Sequence, residues 1–465
     1  MRGIVPILLL ATVALPVGCV MVARDAPPKR QESELLHEAM HQLTSVMVYD
    51  IFSPPQASRV YAYASIAAYE TLRQARPEYG TLAGQVNGLT PVPAAEANAE
   101  YSFPLAGIHA FMTVGRALTF SQPRMDSLRS AMDARIRGGR SGISASVYER
   151  SIAYGDRVAQ HILAWASKDQ FIQTRGYPKY SVTSVPGRWI PTPPAYIDAV
   201  EPNWAALRPF VMDSSSQFRP PPPPAFDMTV GSPFFKDVKE VLDARTHLTD
   251  EQRAIAAFWD CNPYVMHVQG HAMFATKKIT PGGHWMSIVT IAARTADVDI
   301  LESSEAYART AIALADGFIS AWEEKYRSRV VRPETVINGY LDESWEPLLQ
   351  TPPFPEYPSG HSVVSNAAAM VLAKQFGSEF AFVDSSEVEY GLPVRSFASF
   401  EAAAAEAAIS RLYGGIHYRP AIDEGAVQGR AVGTLVNARV HTRPRATANI
   451  PVARPAERRA TAATH

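Results

Sequence analysis

Apolar residues recur at three- and four-residue spacing along most of the chain, a pattern typical of helices that bury one face. We find no convincing run in which apolar and polar residues alternate, as they do in a half-buried strand. The pattern therefore predicts an all-α fold, a large helical bundle that occupies residues 33–442. The predicted helices cover residues 33–49, 57–72, 104–120, 122–137, 144–168, 232–245, 249–260, 285–296, 301–326, 359–374, 400–413 and 424–441.

One long segment, residues 171–229, interrupts this helical pattern. It contains several separate prolines and an unbroken proline run over residues 220–224. Proline lacks a backbone N–H and clashes with the preceding helical turn, so this density excludes regular helix. We predict an irregular excursion that runs over the surface and shapes the mouth of a site.

The composition agrees with a large globular protein. The chain has 465 residues, of which 47% are hydrophobic and 19% charged, enough apolar material for a sizeable core. Its formal net charge is -1, which does not indicate a nucleic-acid-binding surface. After residue 18 no apolar run reaches the length that spans a bilayer, which argues against an integral membrane protein.

The N-terminus resembles an export signal. Residues 1–18 have a positive start and an apolar run that is short for a membrane span. The sequence Leu-Pro-Val-Gly before Cys19 resembles a bacterial lipobox, in which that cysteine carries lipid; an ordinary cleaved secretory signal is the alternative. We therefore expect a periplasmic or cell-envelope protein whose only membrane contact is a lipid on Cys19. Residues 19–32 would form a tether and residues 443–465 a disordered tail.

Between residues 325 and 417 the chain collects the residue types that bind a compact tetrahedral oxyanion. Fixed positive charges balance an anion, and the planar guanidinium of arginine matches paired oxygens. A glycine lets a backbone N–H approach closely, and the start of a helix attracts an anion. Pro358 favours the start of a helix, so we expect a helix over residues 359–374 that presents Ser359, Gly360 and His361 on its first turn. The candidate residues are Lys325, Arg332, Ser359, Gly360, His361, Arg411 and His417.

Three segments of this stretch resemble a known superfamily. Residues 325–333 follow the pattern KX6RP, residues 358–361 read PSGH, and residues 410–417 follow SRX5H. In order and spacing they are similar to the motifs of the type 2 phosphatidic acid phosphatases and vanadium-dependent haloperoxidases. The resemblance implies the helical fold of that superfamily and, in a haloperoxidase, a vanadate cofactor.

The resemblance also implies roles in a reaction. His417 would be the single protein ligand of vanadium, and His361 would be the acid–base group that takes a proton from hydrogen peroxide. Lys325 would polarise the peroxide so that halide can attack it. The product would be hypohalous acid, or the halogenated form of a small organic acceptor.

The other motif residues would hold the vanadate oxygens. Lys325, Arg332 and Arg411 would neutralise their charge, while the Ser359 hydroxyl and the Gly360 N–H would donate hydrogen bonds. Vanadium need not change its oxidation state in such an enzyme, so no haem or flavin is expected.

Three further residues receive roles from the same resemblance. Trp322 and Phe354 hold the residue types that fungal chloroperoxidases have at these positions, and they would form a halide pocket; a core position is the alternative for both. The choice of halide stays open. Asp260, within a Phe-Trp-Asp segment, would be the carboxylate that braces the active-site arginines.

The chain departs from the superfamily pattern after the last histidine. Many members, especially the phosphatases, have an aspartate four residues later that orients the ring, where this chain has Ala421. Asp423 could replace it. The alternative function is an exported acid phosphatase that hydrolyses a phosphate ester, with His417 as nucleophile and His361 protonating the leaving alcohol.

Histidines elsewhere raise the question of a zinc site. The segment from His37 to His41 matches the HExxH motif, whose histidines share one helix face. No third ligand is indicated, so we interpret the segment as a polar helix face. His267, His271 and His284 lack cysteine or carboxylate partners at ligand spacing, and we interpret them as surface or packing residues.

Overall fold

The computed structural model describes residues 28–138 and 143–443. Within these residues the chain forms fourteen α-helices and two short antiparallel hairpins, so the prediction of a helical bundle is confirmed. The export signal, the lipid-modified Cys19, most of the tether and nearly all of the tail lie outside the described residues and stay predictions. Among the described residues, no helix is both long enough and apolar enough to cross a membrane.

The helices account for most of the described chain. The first seven are α1 (Pro28–Tyr49), α2 (Pro54–Leu72), α3 (Phe103–Leu118), α4 (Gln122–Gly138), α5 (Ala145–Ala166), α6 (Phe171–Thr174) and α7 (Pro233–Thr246). The other seven are α8 (Asp250–Phe258), α9 (Pro281–Thr295), α10 (Ile300–Ser328), α11 (Pro333–Tyr340), α12 (Gly360–Phe376), α13 (Phe400–Tyr413) and α14 (Arg419–Arg439). The prediction lacks α6 and α11, because helices of 4 and 8 residues are too short to show a clear period.

Several helices start earlier than predicted because a proline occupies their first turn. Helix α2 starts at Pro54 and α9 at Pro281, each directly after an N-cap hydroxyl that accepts a backbone hydrogen bond. Proline fits this position because its missing N–H would have no helical partner there. Helix α1 starts at Pro28, so residues 28–32, predicted as tether, are helical.

The two hairpins are exceptions to the all-α prediction. In the first, β1 (Met266–Gln269) pairs with β2 (Ala272–Ala275) around Gly270, which has a φ of 59°. In the second, β3 (Phe382–Asp384) pairs with β4 (Arg395–Phe397). Strands this short cannot display a convincing alternation of apolar and polar residues.

Helix α10 forms the centre of the bundle. It is 29 residues long, is buried over most of its length, and packs against α2, α9, α12 and α14. A capping box fixes its start, because the side chains of Asp299 and Glu302 each accept the backbone N–H of the other residue. The helix ends where Arg329 adopts a left-handed conformation (φ 54°). Its last turn thereby places Lys325 in the interior of the protein.

Helices α12 and α14 approach closely because three glycines of α14 face α12. Gly425, Gly429 and Gly433 recur every four residues and so share one helix face. A Cβ atom added at Gly429 would lie 2.1 Å from the carbonyl oxygen of Val363, and one at Gly433 would lie 2.7 Å from that of Ala367. This contact fixes the position of α12, whose N-terminus carries the PSGH motif.

The close contact between these helices predicts a large effect of a single methyl group. Gly429→Ala is expected to lower the free energy of unfolding by about 2–3 kcal/mol, because the added Cβ would force α12 and α14 apart. Gly339→Ala is the matched control, since Gly339 also lies in a helix but no atom comes within 4 Å of its Cβ position. The control should be neutral or slightly stabilising. Denaturant unfolding followed by circular dichroism measures both, and equal stabilities would contradict the predicted clash.

The proline-rich segment, residues 171–229, is irregular as predicted, apart from α6 and one short 3-10 turn. Buried hydrogen bonds hold it against α10. The Asp316 carboxylate accepts the backbone N–H groups of residues 210–212, and the Val200 carbonyl accepts the indole N–H of Trp322 at 3.2 Å. The segment therefore covers the central helix, and other parts of the described chain line the cleft beside the candidate site.

Candidate active site

The three sequence motifs converge in the interior of the bundle. Lys325 lies in the last turn of α10, Arg332 and Ser359 cap α11 and α12, Arg411 lies in the last turn of α13, and His417 lies between α13 and α14. None of the five is more than 2% exposed. Three cations buried together are costly unless an anion compensates their charge. The predicted residues thus form one buried cationic site.

The turn after α13 brings His417 into this site. Gly414 caps the helix, and Gly415 has a φ of 76°, a left-handed conformation that favours glycine. A Cβ at Gly415 would also lie 3.2 Å from Pro347 Cα. Arg332 Nη1 donates to the Ile416 carbonyl at 2.8 Å, which fixes the turn from the other side.

The His417 ring is oriented by Glu356, a residue outside the three motifs. Glu356 Oε1 accepts hydrogen bonds from His417 Nδ1 and from the Tyr418 backbone N–H, both at 2.9 Å. With the proton on Nδ1, the lone pair lies on Nε2, which faces Arg332 Nη1 at 3.2 Å. Nε2 is therefore the ring nitrogen that can bind a metal.

Glu356 orients the His417 ring, a role for which the sequence suggested Asp423. Asp423 is exposed and Ala421 is buried without a polar side chain, so the carboxylate comes from a different loop. Burial raises the pKa of Glu356 to about 7, although Arg332, the Tyr418 N–H and Lys325 act in the opposite direction. Sequence reasoning missed this residue because it lies 61 positions before its histidine partner.

Arg332 and Arg411 each keep one buried N–H group without a partner. Arg332 Nε donates to the Phe354 carbonyl at 2.9 Å, but its Nη2 has no partner among the described residues. Arg411 Nη1 donates to the Trp259 carbonyl at 2.6 Å, but its Nε has none. Burial lowers the pKa of Arg332 to about 10, which leaves it cationic at neutral pH. Unpaired charged donors in a buried site are costly, and an oxyanion would satisfy them.

Lys325 was predicted to contact the oxyanion directly, but in the structure backbone carbonyls occupy its donors. Its ammonium group donates to the backbone carbonyls of Pro355, Glu356 and Pro358, which uses all three of its N–H donors. Burial, followed by the charge of Arg332, holds the pKa of Lys325 well below its usual range. In this structure Lys325 supports the loop that precedes α12.

The same loop corrects the predicted start of α12. Pro358 lies before the helix, and Ser359 is the N-cap, whose hydroxyl oxygen accepts the Ser362 N–H at 3.3 Å. Gly360 is the first helical residue. Its N–H therefore has no acceptor within the helix, as expected for a group that binds an anion.

His361 has the arrangement of a neutral base. Its Nε2 has no hydrogen-bond partner among the described residues, so this nitrogen is available to accept a proton. Burial, followed by the charge of Arg411, holds the pKa of His361 well below its usual range.

A cleft lies beside the buried cations. His361, Arg411 and His417 contribute to its polar wall, and Trp322 and Phe354 contribute an aromatic wall. The two aromatic rings have centroids 4.9 Å apart. The predicted halide-pocket residues therefore lie next to the catalytic candidates.

Asp260 has a different partner from the one predicted. Its carboxylate forms an ion pair with Lys278, whereas Arg411 donates its direct hydrogen bond to the Trp259 carbonyl. Although burial lowers the pKa of Arg411, the charge of Asp260 raises it. Asp260 therefore acts on Arg411 through space, and its neighbour in the sequence makes the direct contact.

Comparison with known proteins agrees with this geometry. A family model for the VCPO second helical-bundle domain matches residues 339–445. The crystal structure described as the first bacterial vanadium-dependent iodoperoxidase is 50% identical to this chain, with a TM-score of 0.83 over 88% of this chain and 97% of that one. The chain belongs to the vanadium-dependent haloperoxidase family.

More distant members of the haloperoxidase family share the fold. A bacterial vanadium-dependent chloroperoxidase in its holo form is 20% identical, with a TM-score of 0.63 over 84% of this chain and 93% of that one. The apo form is 19% identical, with a TM-score of 0.62 over 82% and 92%. No curated protein sequence matches this chain. The superfamily predicted from the three motifs is confirmed.

Family membership favours the haloperoxidase over the acid phosphatase. The absence of an aspartate at position 421 does not distinguish the two functions, because Glu356 supplies a carboxylate to the His417 ring. The preference for the haloperoxidase rests instead on the 50% identical relative, an iodoperoxidase of which 97% is covered by the match to this chain.

The HExxH segment of this haloperoxidase does not form a zinc site. The buried His37 ring bonds to the Tyr307 hydroxyl at 2.7 Å, while His41 lies on the surface and pairs with Glu389 at 3.1 Å. The two rings therefore have different partners, one in the core and one at the surface. His37 is a core residue, which corrects the interpretation of the whole segment as a polar helix face.

His284 is a packing residue rather than a surface residue, but it has the cysteine and carboxylate partners that the sequence spacing did not indicate. It is fully buried, and both Cys261 and Glu387 contact its ring. These partners lie 23 and about 100 residues away along the chain, where ligand spacing in the sequence gives no signal. His267 and His271 lie exposed in the first hairpin, as predicted.

Proposed function

We propose that this haloperoxidase binds vanadate through His417 Nε2 and uses hydrogen peroxide to oxidise halide, with iodide as the preferred halide. A histidine with its lone pair directed inward lies among buried guanidinium groups that keep unpaired N–H donors. A metal oxyanion is the ligand that satisfies both features at once.

The remaining groups of the site fit vanadate as well. The Ser359 hydroxyl uses its oxygen as the N-cap and so retains its proton for donation. The Gly360 N–H lies at the positive end of α12. Lys325 adds a buried positive charge, although its donors are occupied by carbonyls. Vanadate would thus be held by charge and hydrogen bonds, with one bond to a histidine nitrogen.

Bound vanadate would act as a Lewis acid that activates hydrogen peroxide for attack by halide, and the vanadium would keep its oxidation state. The chain's own residues would do the rest. His361 Nε2, neutral and unpartnered, would take the proton of the entering hydrogen peroxide. Arg332 and Arg411 would stabilise the negative charge on the oxygens. Trp322 and Phe354 would remove water from the halide before it reacts.

Iodide is proposed as the halide for two reasons. The 50% identical relative is described as an iodoperoxidase. The wall formed by Trp322 and Phe354 offers aromatic surface, which strips the hydration of a large, weakly hydrated ion more easily than that of chloride. The product would be hypoiodous acid or an iodinated small organic acceptor.

The test compares halide oxidation with phosphate-ester hydrolysis in the same preparation. The purified protein is freed of phosphate and assayed with and without added vanadate, in hydrogen peroxide with iodide, bromide or chloride. A parallel sample receives p-nitrophenyl phosphate. Vanadate-dependent oxidation that is fastest with iodide is the expected result. Ester hydrolysis that vanadate inhibits, without halide oxidation, would instead establish the acid phosphatase.

A further inference from the structure

Three different metal-binding atoms converge in the core near the proposed vanadate site. Cys261 Sγ lies 3.3 Å from His284 Nδ1, and Glu387 Oε1 lies 3.2 Å from the same nitrogen and 3.9 Å from the sulfur. The residues come from three separate segments: the loop after α8, the first turn of α9, and the loop between β3 and β4. All three side chains are buried. The fold therefore assembles this cluster from distant parts of the chain.

A fourth residue fixes which nitrogen of His284 is available. Asp384 Oδ2 lies 2.8 Å from His284 Nε2, and the other carboxylate oxygen of Asp384 accepts two hydrogen bonds from Ser386. A carboxylate in this position holds the ring proton on Nε2. The lone pair of a neutral His284 ring then lies on Nδ1, directed at Cys261 and Glu387.

When the His284 ring is neutral, hydrogen bonds do not satisfy this arrangement, because the thiol proton can serve either Nδ1 or Glu387 and these two acceptors lie 3.2 Å apart. A second proton on Nδ1 satisfies the contacts, and a metal cation in place of the two protons does so as well. A cation at the centre satisfies all three atoms together. In a tetrahedral zinc site with ordinary bond lengths, ligand atoms lie roughly 3.4–3.6 Å apart. The observed separations of 3.2, 3.3 and 3.9 Å lie around that range.

We propose that Cys261, His284 and Glu387 bind a zinc ion, with Asp384 as the carboxylate that orients the histidine. A thiolate, an imidazole and a carboxylate are the ligands that zinc takes in proteins, and the thiolate disfavours magnesium and calcium. Glu387 also lines a second cavity, together with Asp260 and Lys278. That cavity gives an entry path for the ion and room for a water molecule as fourth ligand.

The zinc site would position residues of the vanadate site. The Trp259 ring stacks on the His284 ring, with centroids 4.5 Å apart and an angle of 16° between the planes. The carbonyl of the same tryptophan accepts the hydrogen bond of Arg411 and contacts the His361 ring. An ion that fixes His284 thereby fixes the backbone group that orients one arginine and the proposed base. The proposed role is structural, and it does not depend on which halide the enzyme oxidises.

Metal analysis of the purified, untagged protein tests the site. The protein is prepared without vanadate or chelators, and its metals are measured by inductively coupled plasma mass spectrometry. We expect about one equivalent of zinc per chain, and its loss in Cys261→Ala and His284→Ala. His271→Ala is the matched control, since it removes an exposed histidine of the first hairpin and should retain the zinc. Asp384→Asn should bind zinc about 10–100-fold more weakly in competition with a chelator.

Cobalt substitution gives a second measurement that requires no variant to fold. Cobalt(II) bound by Cys261 is expected to show a thiolate-to-metal charge-transfer band in the near ultraviolet and the intense visible bands of a tetrahedral ion. Wild-type protein that takes up neither zinc nor cobalt would overturn the proposal. Cobalt bound without the thiolate band would also overturn it, as would zinc retained by both Cys261→Ala and His284→Ala.

Discussion

Replacing His417 with alanine is expected to abolish vanadate-dependent halide oxidation, with a loss of more than about 1000-fold. The removal of one hydrogen-bond donor from an oxyanion site costs up to that factor, and His417 is the proposed bond to the metal itself. The buried Arg332 and Arg411 would still attract an oxyanion, so weak vanadate binding without turnover is expected. Equilibrium dialysis with vanadate and an iodide-oxidation assay measure the two effects separately.

The His417 variant requires a control for folding and a control for specificity. Circular dichroism should show the helical content of the wild type, because the ring lies in a loop between α13 and α14. His247→Ala serves as the matched variant, since His247 caps α7 on the surface and bonds to a carbonyl of its own helix. It should keep full activity. Added imidazole is expected to restore part of the activity of His417→Ala, and undiminished activity without imidazole would refute the assignment of the ligand.

The motif residues could be predicted from the sequence because their spacing carries the information. Lys325 and Arg332 stand at the end of one helix and the start of the next, and Arg411 and His417 are separated by a glycine turn. Such local geometry is fixed over a few residues, so a pattern match places these side chains on the same site. The helical bundle could be predicted for a similar reason, since long helices with one buried face have a visible period.

The residues that the sequence did not reveal act across long distances in the chain. Glu356 orients His417, and Cys261 meets His284, through contacts that only the packed fold creates. Neither partner occurs at a spacing that suggests a shared role. Lys325 was assigned the right place but a different contact, because the carbonyls of residues 355–358 that take its donors become visible only when the loop is folded.

Glu356→Ala is expected to weaken vanadate binding by about 10–100-fold, the usual cost of losing the residue that orients a metal-binding histidine. The substitution leaves His417 Nδ1 and the Tyr418 N–H without their acceptor, so the ring is free to rotate and to exchange tautomers. At saturating vanadate the turnover number should fall much less than the affinity. Iodide oxidation measured over a range of vanadate concentrations separates these two quantities.

Asp423→Ala is the matched variant for this prediction, because the sequence alone offered Asp423 as the orienting carboxylate. Asp423 lies exposed on α14, so its removal should leave vanadate affinity unchanged. Glu356→Gln should fall between the wild type and Glu356→Ala, since its amide oxygen can still accept the two hydrogen bonds that Oε1 accepts but carries no charge. Weaker vanadate binding in Asp423→Ala, together with unchanged binding in Glu356→Ala, would return the orienting role to α14. Weaker binding in Glu356→Ala, with unchanged binding in Asp423→Ala, would mean that the carboxylate orienting His417 comes from the loop before α12 and not from a residue after the histidine.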